Sequence, residues 1–166
     1  VGTYATTASG ASDDNYDFTY TNGTLTVTKA MLTATADDKT RIYGNANPAN
    51  TFSYTGFKNG ETASVIDVGA VGSSGTTTAT DVGTYAIVGS GASHNNYDFT
   101  YVDGTLSITK RMLTATAGNA VRVYRDANPA INVTYTGFRT GDDSNDIDTL
   151  ATGASAANAF SNVGTY

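Results

Sequence analysis

The sequence repeats itself, and the repeat never loses register. Val1-Gly2-Thr3-Tyr4 returns as Val82–Tyr85 and again as Val163–Tyr166, the three tyrosines standing 81 residues apart. Residues 1–29 match residues 82–110 at twenty of twenty-nine positions. Lys29-Ala30-Met31-Leu32-Thr33-Ala34-Thr35-Ala36 returns as Lys110-Arg111-Met112-Leu113-Thr114-Ala115-Thr116-Ala117, and Tyr54-Thr55-Gly56-Phe57 as Tyr135-Thr136-Gly137-Phe138. A fixed offset without slippage marks tandem units. Units of this size can fold alone, but with thin cores that gain from neighbours. The period divides the chain into residues 1–29, the back end of one unit; 30–110, a complete unit; and 111–166, the front end of the next. About two residues separate the last strand of one unit, ending near Lys29 or Lys110, from the first strand of the next. No Gly/Ser-rich or Pro-rich linker intervenes, so the units are expected to sit end to end in a stiff array.

Each unit reads as β structure. The chain is rich in Thr, Tyr, Val and Gly, with eleven Tyr, no Trp and only 14 % charged residues, a composition of strands and turns rather than helices. Leu32, Ala34 and Ala36 alternate with Thr, the period of a half-buried strand. A short strand is expected around Arg41-Ile42-Tyr43, and Asn47-Pro48 fits a turn, because Pro biases its predecessor away from helix. Phe52 and Tyr54 share one face, as do Val133 and Tyr135. Tyr97, Phe99 and Tyr101 alternate, Asp103-Gly104 follows, then Leu106 and Ile108 alternate. Tyr16, Phe18 and Tyr20 precede Asn22-Gly23 in the same way, ahead of Leu25 and Val27. Asn-Gly and Asp-Gly are favoured two-residue turns, so a hairpin is predicted at both places. Glu61–Ile66 and Asp142–Ile147 each allow a single helical turn. The architecture expected is all-β, a tandem array of small domains: an immunoglobulin-like sandwich is favoured, and a β-grasp-like sheet with the Glu61–Ile66 turn as its short helix is the alternative.

These ordered motifs carry a family resemblance. Tyr43-Gly44, Asn47-Pro48, Tyr54-Thr55-Gly56-Phe57, Asn59-Gly60-Glu61, Val82–Tyr85, Asn96-Tyr97 and Gly104–Lys110 fall in one order, and the chain over its whole length resembles the MBG repeat of the YGX type. The later copy departs at Arg125, where Gly follows Tyr in the pattern, and at Thr140 in place of Asn59. The resemblance implies a stalk or fibre module without enzymatic activity, of the kind found in tandem in large bacterial surface and secreted adhesins, including filamentous-haemagglutinin-like exoproteins.

Residues that could carry chemistry are few, and each has a plainer reading. A net charge of −6 with nine dispersed Lys and Arg argues against nucleic acid as a partner. No apolar run reaches the length of a membrane-spanning helix, so no membrane insertion is expected. The absence of Cys rules out disulfides, thiolate metal sites and Cys nucleophiles. His94, the single His, aligns with Asp13 and reads as a solvated loop residue. Glu61 is the single Glu. Asp142, Asp143, Asp146 and Asp148 form the densest acidic group, which lacks the Gly and closing Glu of a calcium loop and reads as a solvated turn. The Gly-rich stretches Gly69–Gly75 and Gly89–Ala92 have no following helix to complete a phosphate loop. The Tyr97/Phe99/Tyr101 stripe reads as the inner face of a small sheet before it reads as a sugar-stacking platform. Asn22-Gly23-Thr24 and Asn132-Val133-Thr134 satisfy the N-glycosylation pattern. Ser73–Thr78 offers hydroxyls for O-glycans, and Lys29 or Lys110 would be the donor of any isopeptide crosslink. No catalytic, cofactor-binding or metal-binding residue is assigned.

The expected role is therefore mechanical: a structural module of an extracellular bacterial adhesin or filament at the cell surface, partnered by neighbouring copies of itself or adjacent repeats of the same polypeptide. The alternative is a module that binds surface glycans. Residues 1–29 and 111–166 are each part of a unit. Either the chain is a window onto a longer repetitive polymer, which is the preferred expectation, or the tail of one chain is completed by the head of the next.

Overall fold

The computed structural model describes residues 1–166. Eleven strands follow one another: β1 (Gly2–Thr6), β2 (Gly23–Val27), β3 (Ala30–Ala36), β4 (Lys39–Ile42), β5 (Phe52–Thr55) and β6 (Val71–Ser73). Then come β7 (Gly83–Ser90), β8 (Tyr97–Val102), β9 (Gly104–Thr109), β10 (Thr114–Ala117) and β11 (Val133–Thr136). The only helical pieces are single 3-10 turns at Ala63–Val65 and Ser144–Asp146, inside the two stretches expected to form one turn. The protein is all-β.

Seven strands of the middle of the chain form two sheets. One has the order β5-β3-β8 and the other β4-β9-β7-β6. Strand β3 runs antiparallel to β5, with Ala34 opposite Tyr54, and parallel to β8, with Leu32 opposite Phe99. The alternation in β3 does what its pattern predicts: Leu32, Ala34 and Ala36 are buried while the threonines between them are not. Ile87 of β7, Tyr97 of β8 and Leu106 and Ile108 of β9 are buried with them. Phe52 and Tyr101, from the first sheet, press their rings onto Gly89 of the second, where a Cβ would stand 2.8 Å and 3.0 Å from them. The two sheets thus pack face to face as a sandwich. The β-grasp alternative needs a helix packed on a sheet, and the turn at Ala63–Val65 buries none of its side chains.

The predicted hairpins at Asp103-Gly104 and Asn22-Gly23 do not form. Strand β8 belongs to one sheet and β9 to the other, so Asp103-Gly104 is a corner between layers. Neither residue has the positive φ that the expected hairpin turn demands. Gly104 is required for another reason: a Cβ there would lie 2.6 Å from the carbonyl oxygen of Ala36 and 3.1 Å from that of Asp37. In the earlier copy β2 pairs with β1, Tyr4 opposite Leu25, and the stretch carrying Tyr16, Phe18 and Tyr20 forms no strand. The sequence signal was one of close approach at the end of β3, and it imitates a turn.

By its contacts the chain divides into two compact units. The first gathers Val1–Thr40, Pro48–Thr76 and Thr84–Ser107; the second gathers Arg41–Asn47, Thr77–Gly83 and Ile108–Tyr166. In the second, β10 and β11 pair antiparallel with Thr114 opposite Thr136 and Ala117 opposite Val133. That register is the one of β3 and β5 moved along by the repeat, where Thr33 lies opposite Thr55 and Ala36 opposite Phe52.

Candidate functional site: a bonded joint at Tyr43

Tyr43 follows β4 in a tight turn closed by the Asn45 N–H on the Ile42 carbonyl (3.0 Å), with Gly44 at φ 86°. Gly44 meets both demands at once, the left-handed backbone and the lack of a side chain, because a Cβ would stand 2.6 Å from Cβ of Arg139. Arg139 bridges two groups. Its Nε donates to the Tyr43 hydroxyl (2.9 Å), and its Nη2 pairs with Asp142 at 2.7 Å. The guanidinium carbon also lies 5.3 Å from the Tyr43 ring centroid, within cation–π range. The hydrogen bond to Tyr43, with the Asp142 charge behind it, raises the Arg139 pKa further above its ordinary value. Arg111 completes the joint by donating from Nε to the Gly137 carbonyl (2.6 Å) and from Nη1 to the Tyr43 carbonyl and Asn45 Oδ1, each at 3.4 Å. A cleft of about 410 Å³ runs beside these groups, bordered by Lys110, Asp81 and Asp148. The turn at residues 43–45 is thus bonded to Arg111 and Arg139, distant in sequence but in the same compact unit.

Arg41, one residue before Ile42, was missed by sequence reasoning. It is 5 % exposed and gives Nε to Asn47 Oδ1 (2.7 Å), Nη2 to the Thr77 carbonyl (2.6 Å) and Nη1 to the Ile42 carbonyl (3.4 Å). It ties the Tyr-Gly turn to the Asn-Pro loop. Its recurrence as Arg122, which bonds the carbonyls of Val123 and Asn158, was the signal available in the sequence.

The tyrosines explain the aromatic content. The Tyr54 hydroxyl accepts from the Ala70 N–H (2.6 Å), and Tyr135 accepts from Ala151 at the equivalent place. Tyr101 accepts from Ala92 (2.9 Å) and Tyr20 from Ala11 (2.8 Å). Tyr97 accepts from the Lys58 N–H (2.9 Å) and donates to the Glu61 carboxylate. The bond to Glu61 raises the Tyr97 pKa above its ordinary 10.0. Each phenol roots its ring in or near a sheet and closes a loop with its hydroxyl. The Tyr97/Phe99/Tyr101 stripe is accordingly the inner face of β8, with Tyr54 and Phe99 edge to face at 6.4 Å.

The other flagged residues have structural positions. His94 accepts the Asn96 N–H on Nδ1 (3.0 Å), its ring 5.3 Å from that of Tyr97. Asp143 and Asp146 form a reciprocal capping box on the 3-10 turn, which with the Arg139–Asp142 pair accounts for three of the four clustered carboxylates. No three His, Asp or Glu side chains are grouped as a metal ion would require. Gly69–Gly75 contains edge strand β6, and Gly89–Ala92 closes β7. Lys29 lies at the surface, on the His94 carbonyl (3.2 Å) and the Asp98 carboxylate (3.3 Å). Asn22 and Asn132 are exposed. Arg125 keeps the Tyr-Gly turn conformation at φ 76° despite its side chain. At Thr140 the turn changes. Asn59 and Gly60 both have positive φ, whereas in the later copy only Gly141 does, as a β-branched residue requires.

The charged cluster and the phenols of this all-β chain bond its turns and loops. Over residues 1–26, 32–107 and 113–166 the chain matches the MBG domain of the YGX type. The chain belongs to that family, a family of structural repeats associated with surface proteins. No curated protein and no solved structure matches it. No helix is long and apolar enough to cross a membrane.

Proposed function

We propose that the chain is a stalk module of an extracellular bacterial adhesin or filament, and that it sets length and resists bending through repeats joined without linkers. One observation supports this reading: Arg111 and Arg139 hold the turn at Tyr43 across the boundary expected at Lys110 from the sequence period, where a flexible tether would leave that turn in water. A stalk needs its joints bonded in this manner, since the stiffness of a one-dimensional array is that of its interfaces. Net charge of −6 keeps such a chain soluble.

Small-angle X-ray scattering on dilute, monomeric chain tests the reading. The wild type is expected to scatter as one conformer, and Arg111→Ser with Arg139→Ser as a broadened ensemble with a larger spread of radii of gyration. Identical curves from the two would overturn it. Retention on a glycan array that Tyr16→Ala and Tyr20→Ala abolish would turn the reading to surface-glycan binding, for which those exposed rings are the available platform.

A further inference from the structure

Four strand edges bound the middle sandwich, at β4, β5, β6 and β8, and they are not alike. Strands β4 and β5 are four residues long and β6 three, and β4 carries Lys39. Short edges and edge lysines are among the usual guards against pairing with another chain. Strand β8 has neither. It runs six residues, Tyr97-Asp98-Phe99-Thr100-Tyr101-Val102, without Pro, Gly or Lys. Its register with β3 is unbroken along that length, so no bulge turns the edge aside. Its one charge, Asp98, is already balanced by Lys29 at 3.3 Å.

The free side of β8 carries bonding groups. The Ala30 N–H donates to the Asn96 carbonyl (3.0 Å), and Ala30 lies opposite Tyr97. In a parallel ladder of that phase the peptide groups of Asp98, Thr100 and Val102 face β3, and those of Tyr97, Phe99 and Tyr101 face outward. The same edge is short of apolar cover. Tyr97 is buried, but Phe99 and Tyr101, on the inner face with it, are only half-buried.

We propose that β8 is a lateral docking edge, and that its occupant is β8 of a second copy of this chain, antiparallel about a two-fold axis at Phe99. Self-complementarity specifies the occupant, because Tyr97-Asp98-Phe99-Thr100-Tyr101 reads nearly the same in both directions. In this register Phe99 lies opposite Phe99 and Tyr97 opposite Tyr101, so the outward peptide groups of the two copies exchange their hydrogen bonds. Asp98 faces Thr100. The slip that sets Asp98 against Asp98 is disfavoured by like charge. An isologous contact of this kind closes on itself as a dimer. It joins the two three-stranded sheets into one continuous sheet and lays the half-buried Phe99 rings side by side. Addition of a strand to an open edge is an established mode of recognition. The contact adds lateral pairing to the stalk reading and does not depend on it.

Sedimentation equilibrium and two cysteine variants test the contact. The wild type is expected to pass from 17.1 kDa to twice that mass as its concentration rises towards millimolar. Asp98 and Thr100 are exposed, so replacing either should leave the fold in place, which circular dichroism checks. The chain has no cysteine of its own. Facing residues of the Asp98–Thr100 class stand about 4.5 Å apart at Cα, close enough for a disulfide. An equimolar mixture of Asp98→Cys and Thr100→Cys chains, oxidised at high concentration, is expected to give a covalent dimer on non-reducing gels. Either variant alone faces no second thiol and should stay monomeric on the same gel. Thr100→Asp, which sets Asp98 against a like charge, should weaken the dimer about fivefold. A wild type that sediments as a monomer at every concentration would overturn the proposal. So would a mixture that links no better than either variant alone, or a Thr100→Asp chain that associates as tightly as the wild type. Scattering from the dilute monomer tests the stalk reading separately.

Discussion

Leu106 and Ile108 of β9 are sealed between two sheets, whereas Leu25 and Val27 of β2, the same places in the preceding copy, face solvent. The local sequences are nearly the same, Gly-Thr-Leu-Ser-Ile-Thr against Gly-Thr-Leu-Thr-Val-Thr. The contrast teaches that an alternating pattern selects a strand and a face, while burial comes from what is laid across that face. In the middle of the chain seven strands supply it; at the ends a pair of strands keeps its register but closes no core.

The largest test of this contrast is Leu32→Ala against Leu113→Ala. Leu32 is fully buried, and its truncation should cost about 3–4 kcal/mol through lost transfer energy and the cavity left behind. Leu113 is only half-buried and should cost about 1 kcal/mol or less. Urea denaturation followed by circular dichroism measures both. Equal losses would mean that the tail is as well packed as the middle, and the contrast would fail.

Arg41→Met against Arg122→Met sharpens it at a polar site. Removing the buried Arg41 takes this donor from Asn47 Oδ1 and the Thr77 carbonyl, both in part-buried bonds, at a cost of about 2 kcal/mol. Arg122 makes related bonds to Val123 and Asn158 at a more exposed site, where water replaces them and the loss should stay near ~1 kcal/mol.

How much of this was legible differs between elements for physical reasons. Strand β3 could be read because Leu32, Ala34 and Ala36 report their own burial. The 3-10 turns and the strands at Phe52 and Val133 followed from local patterns in the same way. The position of β9 was not legible, because Asp103-Gly104 satisfies the rule for a hairpin while its glycine answers to the Ala36 carbonyl, a contact 68 residues away in the chain. Edge strand β6 was hidden for a related reason, its Gly72 lying against Ile87 and Phe52 in a stretch that reads as loop. The joint was hidden almost wholly. Tyr43, Arg111 and Arg139 are distant in sequence, and the change from Lys58 to Arg139 between copies breaks the repeat at the one place where the Tyr43 hydroxyl is engaged.

Gly44 and Arg125 offer a smaller comparison, since the same turn is made with and without glycine. Gly44→Ala should cost about 1–2 kcal/mol for the left-handed backbone, and more where the new Cβ meets Arg139. Arg125→Gly should relieve comparable strain but forfeits the guanidinium lying 5.2 Å from the Tyr124 ring centroid and 4.9 Å from that of Phe160, together about 1 kcal/mol at an exposed site. The net change there should be within about 1 kcal/mol of zero, read as a small shift of the urea midpoint. A loss as large as that of Gly44→Ala would show that the arginine, not the backbone, sets the turn.

The smallest expected effect is on pH dependence. Asp38 Oδ1 accepts from the hydroxyl and the N–H of Thr105, each at 2.7 Å, and these bonds hold its pKa below the ordinary 3.8. A carboxylate with a depressed folded pKa contributes stability that is fully present above its unfolded value and is lost as pH falls through the folded one. Asp38→Asn keeps an acceptor for Thr105 but removes the titration, so its stability profile should be flatter than that of the wild type below about pH 4. The later copy carries Asn119 at this place, so the acid-sensitive bond belongs to the middle sandwich alone. Tyr97 has the opposite sign: with its pKa raised by Glu61, its contribution persists below pH 10 and is lost as pH rises through the raised value, and Tyr97→Phe should flatten that alkaline limb. An alkaline limb in Tyr97→Phe as steep as in the wild type, read by urea denaturation against pH, would show that the bond to Glu61 makes no such contribution.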